Sequence, residues 1–111
     1  MIHYTNLNIG GDIVKDNETY LLRDNKTLKN LVLSQTVLHP AQSTRGHSHA
    51  GQEEVYFFVA GSGEMEVGEE SFFVNRGDIV LIPDGAFHRV HNLSEIDLIF
   101  NCVFDGGQRN H

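Results

Sequence analysis

The sequence predicts an all-β fold, a sandwich or a barrel. Short apolar runs separated by turn residues fill most of the chain at close, fairly regular spacing. The helical signal is missing: no long window sets apolar residues at i, i+3, i+4 and i+7 between capping residues. The 111 residues suffice for one core and one domain. An apolar content of 40% and a charged content of 21% are ordinary for a globular protein.

Taken in order, strands are expected at Thr19–Arg23, Leu28–Leu38, Val55–Ala60, Glu64–Val67, Ser71–Asn75, Ile79–Ile82, Phe87–His91 and Ile96–Phe104. Turn chemistry marks the breaks: Asp24-Asn25, Gly61-Ser62-Gly63, Gly68, Asn75-Arg76-Gly77 and Pro83-Asp84-Gly85. Gly61, Gly63 and Gly77 are expected to supply tight turns or positive φ. Pro83 is expected just outside a strand, where its missing N–H costs no ladder bond. The runs VYFFVA and DIVLI are apolar on both faces, whereas a strand with one wet face alternates. Their second face is therefore covered, by a second copy of the chain in a homodimer or by the chain's own N-terminal segment.

Fifteen acidic against eight basic residues give a formal charge of -7. This balance argues against nucleic acid or an anionic membrane as partner, since both attract basic patches. The N-terminus lacks a basic and an apolar region of the secretory type, and no stretch is long enough for a membrane span. A soluble cytoplasmic protein is the expectation. A lone Cys102 excludes an internal disulfide framework, and within LIFNCVF it reads as a small buried hydrophobe.

Two segments carry chemistry: GHSHAGQEEVYFFVAG, Gly46 to Gly61, and GDIVLIPDGAFHRVHN, Gly77 to Asn92. His47 and His49 are two apart, so in an extended chain both imidazoles reach one side. Glu54 follows a glycine-containing turn and shares parity with Tyr56 and Phe58; Glu53 is the rival ligand. His88 follows the turn Pro83–Ala86; its rival His91 has opposite parity and reads as exterior or supporting. His3, His39 and His111 have no partner spacing. Three imidazoles and one carboxylate suit a divalent transition metal.

The two segments together resemble the paired motifs of the cupin superfamily. The first motif, G-x5-H-x-H-x(3 or 4)-E-x6-G, is met by His47, His49, Glu54 and Gly61, with Ala41 in place of the leading glycine. The second, G-x5-P-x-G-x2-H-x3-N, is met by Gly77, Pro83, Gly85, His88 and Asn92. The resemblance implies a single-domain double-stranded β-helix, or jelly roll, with a barrel core over 31–104 holding both motifs. An N-terminal arm over 1–30 and a polar tail over 105–111 flank it. It further implies that His47, His49, Glu54 and His88 ligate one ion of Mn, Fe, Ni, Co or Zn, and that the protein is a homodimer.

Four protein ligands leave one or two positions on an octahedral ion for a small-molecule substrate. The favoured expectation is an enzyme of isomerase, epimerase or lyase type acting on a small polar, carbohydrate-like metabolite, whose carbonyl or hydroxyl the ion polarises. The alternatives are a metal-dependent dioxygenase and a non-catalytic ligand-binding module. Tyr56 is the candidate catalytic acid or orienting group; Gln35 and His39 are further candidates for the base. Tyr56, Phe58, Phe87 and Phe100 would line a dry pocket or simply pack the core.

Overall fold

The structure, a computed structural model, describes residues 2–106. The expected tail therefore lies almost wholly outside the described residues, as does His111. Nine antiparallel strands form two sheets, and no helix occurs among the described residues. The strands are β1 Asp12–Asp16, β2 Tyr20–Asn25, β3 Leu31–Leu38, β4 Glu54–Ala60, β5 Ser62–Val67, β6 Glu70–Asn75, β7 Ile79–Ile82, β8 His88–His91 and β9 Leu98–Asp105. A six-stranded sheet runs β1-β2-β3-β9-β4-β7, and a three-stranded sheet runs β6-β5-β8. None of the described elements is a helix able to cross a membrane.

The inward faces alternate as expected for strands that each bury one row. Tyr56 and Phe58 of β4, Phe100, Cys102 and Phe104 of β9, and Met65 and Val90 of β5 and β8 meet in one core. β4 pairs with β9 and β7 at once, with Tyr56 opposite Cys102 on one side and Val80 on the other. This register fixes which residues of three strands share the interior.

Eight of the nine strands overlap the predicted runs, with ends that differ by up to three residues. β1 is the addition: its five residues are all exposed, and it pairs only with β2 at the sheet edge. Gly61 and Gly77 take positive φ, 81° and 96°, as expected. Gly63 does not; it is there because β8 passes close by. A Cβ at that position would lie 2.3 Å from the carbonyl oxygen of His91.

The outer face of the large sheet is partly covered by the chain's own N-terminal segment. The carbonyl of Asn6 accepts from Nε2 of Gln35 at 2.9 Å and from Nδ2 of Asn101 at 3.0 Å. Gln35 thus points away from the core side and is not available as a base in the interior, because its parity in β3 is that of Asn101 and opposite to that of Cys102. The cover leaves Ile79 and Leu81 of the edge strand β7 bare, at 66% and 69% exposure.

Candidate metal centre

Glu54 is the first residue of β4 and His88 the first of β8, so the two sheets each supply one group at the same end of the barrel. The segment Gln42–His47 runs beside β8 as an irregular extra strand. Thr44 N–H donates to the Val90 carbonyl at 2.9 Å, and Asn92 N–H to the Gln42 carbonyl at 2.8 Å. His47 and His88 then exchange both backbone bonds: His47 N–H to His88 carbonyl at 3.1 Å, and the reverse at 3.0 Å. Their rings meet edge to face, 4.5 Å between centroids.

One ligand atom from each of His47, Glu54 and His88 lies within 4.8 Å of the other two. His49 falls outside this grouping, although its ring centroid is 4.4 Å from that of His47. Glu54 is buried and Glu53 exposed, as the parity argument requires. His91, of opposite parity, faces the other side of the small sheet. Its Nδ1 meets Ser43 Oγ at 2.6 Å and its Nε2 meets Glu66 Oε2 at 2.5 Å, which fastens the Gln42–His47 segment to β8 and β5. His39 sits past the end of β3 against Asp97, at 3.3 Å. Phe87 does not line the interior: it is 41% exposed and lies over Gly46.

His88 is presented as a ligand would be. Its Nδ1 donates to the Ala86 carbonyl at 3.1 Å, which leaves Nε2 to carry the free lone pair. Nε2 is buried and makes no hydrogen bond. It does lie 3.0 Å from Glu54 Oε2, inside ion-pair range. With the proton on Nδ1, this nitrogen and that oxygen are two acceptors set side by side, an arrangement that a proton or a cation between them relieves. A buried, unbonded imidazole nitrogen among borderline nitrogen and hard oxygen donors fits a divalent transition metal.

The charges respond to this crowding. Burial alone would raise the Glu54 carboxyl, but His88 and the hydrogen bond from Cys102 outweigh it and hold the group below its usual value. Burial alone would lower His88, but Glu54 outweighs it and raises the imidazole. The Cys102 thiol donates to Glu54 Oε1 at 3.3 Å. Burial, reinforced by the charge on Glu54, pushes that thiol well up, so it stays protonated and keeps donating.

Tyr56 stands next along β4, buried, stacked on Phe100 at 5.2 Å and edge-on to His88 at 5.7 Å. Burial pushes its phenol well above the usual value. The Asn92 side chain that closes the second motif is a staple. Its Nδ2 faces the carbonyls of Leu38, His39 and Ile96 at 2.9, 3.2 and 2.8 Å, and its Oδ1 accepts from Ser94 N–H at 3.0 Å. Sequence reading missed two residues at this end of the barrel: Cys102, as the support of Glu54, and Gln52, whose buried side chain precedes Glu54 by two positions.

Antiparallel β-sheets closed around a core, with three clustered side chains at one end that could hold a metal ion, define a cupin-type barrel. The family model of the Cupin domain, Cupin_2, matches residues 34–104, well over half of the chain, and the protein belongs to that family. An uncharacterized protein of Streptomyces coelicolor is 41% identical over 64 residues, 58% of this chain and 60% of the relative. An oxalate-binding protein of Thermotoga maritima is 29% identical over 66 residues, 60% of this chain and 54% of the relative. Each of these two alignments therefore covers less than two thirds of the relative. Among solved structures, TT1209 of Thermus thermophilus superposes with a TM-score of 0.75 at 26% identity, covering 81% of this chain and 86% of that one. A double-stranded β-helix domain protein of Klebsiella pneumoniae superposes with a TM-score of 0.77 at 20% identity, covering 88% and 86%.

Proposed function

We propose that this protein binds one divalent transition metal through His47, His49, Glu54 and His88 and acts on a small, oxygen-rich metabolite by non-redox chemistry of the isomerase or lyase type. The observation that carries the metal reading is Nε2 of His88, buried without a hydrogen bond and 3.0 Å from Glu54 Oε2, in a residue that groups with His47 and Glu54 within 4.8 Å. His49, beside His47, is the fourth ligand, brought in by a turn of its side chain. The bound ion would polarise a carbonyl or hydroxyl of the substrate. Tyr56, one step deeper on the same face and held protonated by burial, orients the substrate or gives it a proton.

The name of the Thermotoga maritima relative supports a small oxygen-rich ligand. The bare Ile79 and Leu81 support a homodimer in which a second copy covers β7.

Metal analysis of the protein purified without chelator tests the first half. About one equivalent is expected, and absence of any first-row metal after reloading would sink the site. For the second half, the metal-loaded protein is incubated with sugars and hydroxy acids and followed by NMR and an oxygen electrode. Product without oxygen uptake is expected. Substrate-dependent uptake would replace the non-redox reading with a dioxygenase.

A further inference from the structure

Among the described residues, buried side-chain nitrogen or oxygen atoms without a hydrogen-bond partner occur in two places only: Nε2 of His88, and both Nε2 and Oε1 of Gln52. The chain links the two places through Glu54. His88 lies against Glu54, and Gln52 is two residues before Glu54. Exposure alternates without a break from Gly51 to Tyr56, with Gln52, Glu54 and Tyr56 the buried members. Gln52 therefore continues the buried row of Glu54 and Tyr56 by one step, just before β4 begins. The turn that carries it is fixed at both sides. Gln52 N–H donates to the His49 carbonyl at 3.3 Å, and Gly51 N–H to Asp84 Oδ1 at 2.6 Å.

A buried amide that makes none of its bonds costs free energy, on the order of 1–3 kcal/mol for each unmet group. Other buried amides of this fold meet their needs: Asn25, Gln35, Asn92 and Asn101 all bond to backbone carbonyls. Gln52 is 4% exposed and yet keeps a donor and an acceptor in reserve.

We infer that the Gln52 amide is the recognition group for a monoanionic 2-hydroxy carboxylate held at the metal centre. This rests on the metal reading above. An amide can donate to a carboxylate oxygen and accept from a hydroxyl at the same time, which is the pair a 2-hydroxy acid presents. Charge selects the monoanion. A divalent ion, one carboxylate and three neutral imidazoles sum to one positive charge, which one carboxylate cancels. A dicarboxylate would leave a net negative charge, and no lysine or arginine is buried among the described residues to offset it.

The test is calorimetric titration of the nickel-loaded full chain with glycolate, oxalate and acetate, for the parent and for Gln52→Leu. Glycolate is expected to bind the parent more tightly than either of the others. In Gln52→Leu its affinity should fall about tenfold, the worth of about one hydrogen bond to a charged group, with nickel content unchanged. The ligand-free variant should melt at the same or a higher temperature than the parent, because the unmet amide is gone. Gln52→Met, which keeps the length, repeats the test if the leucine does not fold. Unchanged glycolate affinity at full nickel content, or tighter binding of oxalate, would overturn this inference alone. A parent that takes up no nickel would overturn it together with the metal reading.

Discussion

The thiol of Cys102 donates to Oε1 of Glu54, the carboxylate oxygen opposite the one that faces His88. One oxygen of Glu54 is thereby fixed from β9, while the other is left for the centre. Cys102→Ala removes the support without touching any of the four proposed ligands. Loss of such a supporting bond typically costs roughly 10–100-fold in metal affinity. Competition with a chromogenic chelator measures this, and Cys102→Ser, which keeps a donor, should recover most of the loss. Equal weakening by both variants would mean that packing, not the hydrogen bond, matters.

Glu54 and Glu53 are adjacent in sequence and opposite in burial. Glu54→Ala should reduce metal content to a small residue, and Glu53→Ala should leave it near one equivalent. The reverse pattern would transfer the ligand to Glu53. His49→Ala should also lose metal; retention of a full equivalent would reduce the site to the three residues already clustered.

The metal-free protein should show a pH signature of the Glu54–His88 pair. A carboxyl held below its usual 4.5 adds stability that is complete above that value and is lost as the pH falls through its folded value. An imidazole raised above 6.5 adds stability that is complete below that value and is lost as the pH rises through its folded value. Both contributions are whole only between 4.5 and 6.5. Urea unfolding in chelator should show the largest difference between parent and Glu54→Gln in that window, shrinking on both sides. Metal binding must displace the His88 proton, so apparent metal affinity should climb with pH through the raised imidazole value. A difference independent of pH would rule out the pair as its source.

Ala41 occupies the position where the cupin motif has glycine, and it carries the only positive φ of a non-glycine residue in the described chain, 62°. Pro40 precedes it, and Gln42 N–H donates back to the His39 carbonyl at 3.1 Å. Proline second and positive φ third is the pattern of a type II turn, which favours glycine. Ala41→Gly should stabilise the protein by about 0.5–1 kcal/mol, the relief of left-handed strain less the added freedom of the unfolded chain. Melting should rise by a few degrees. A lower melting temperature would show that the alanine methyl packs usefully.

The local parts of this fold were legible because they are local. Turn residues bracket β2 to β9, and the alternation in Glu54–Phe58 separates the buried Glu54 from the exposed Glu53. β1 escaped because an edge strand, exposed along its whole length, needs no apolar pattern. The support of Glu54 by Cys102 escaped for another reason. The two are 48 positions apart, and their meeting depends on the register that sets Tyr56 opposite Cys102. Nothing in either segment encodes that register by itself. Gln52 escaped because a single glutamine in a turn reads as solvated; only its burial shows otherwise.

The paired backbone bonds between His47 and His88 make length changes unequal in their effect. An added residue between Ser43 and His47 would break the alignment with β8 and turn an imidazole away from its partner. The turn at Ala50–Gly51 is not paired with β8, so a change in its length leaves the alignment of His47 with His88 intact. The variable spacer of the cupin motif, three or four residues, falls at that turn. Length change on that side of the histidine pair thus leaves the distance between the two histidines untouched.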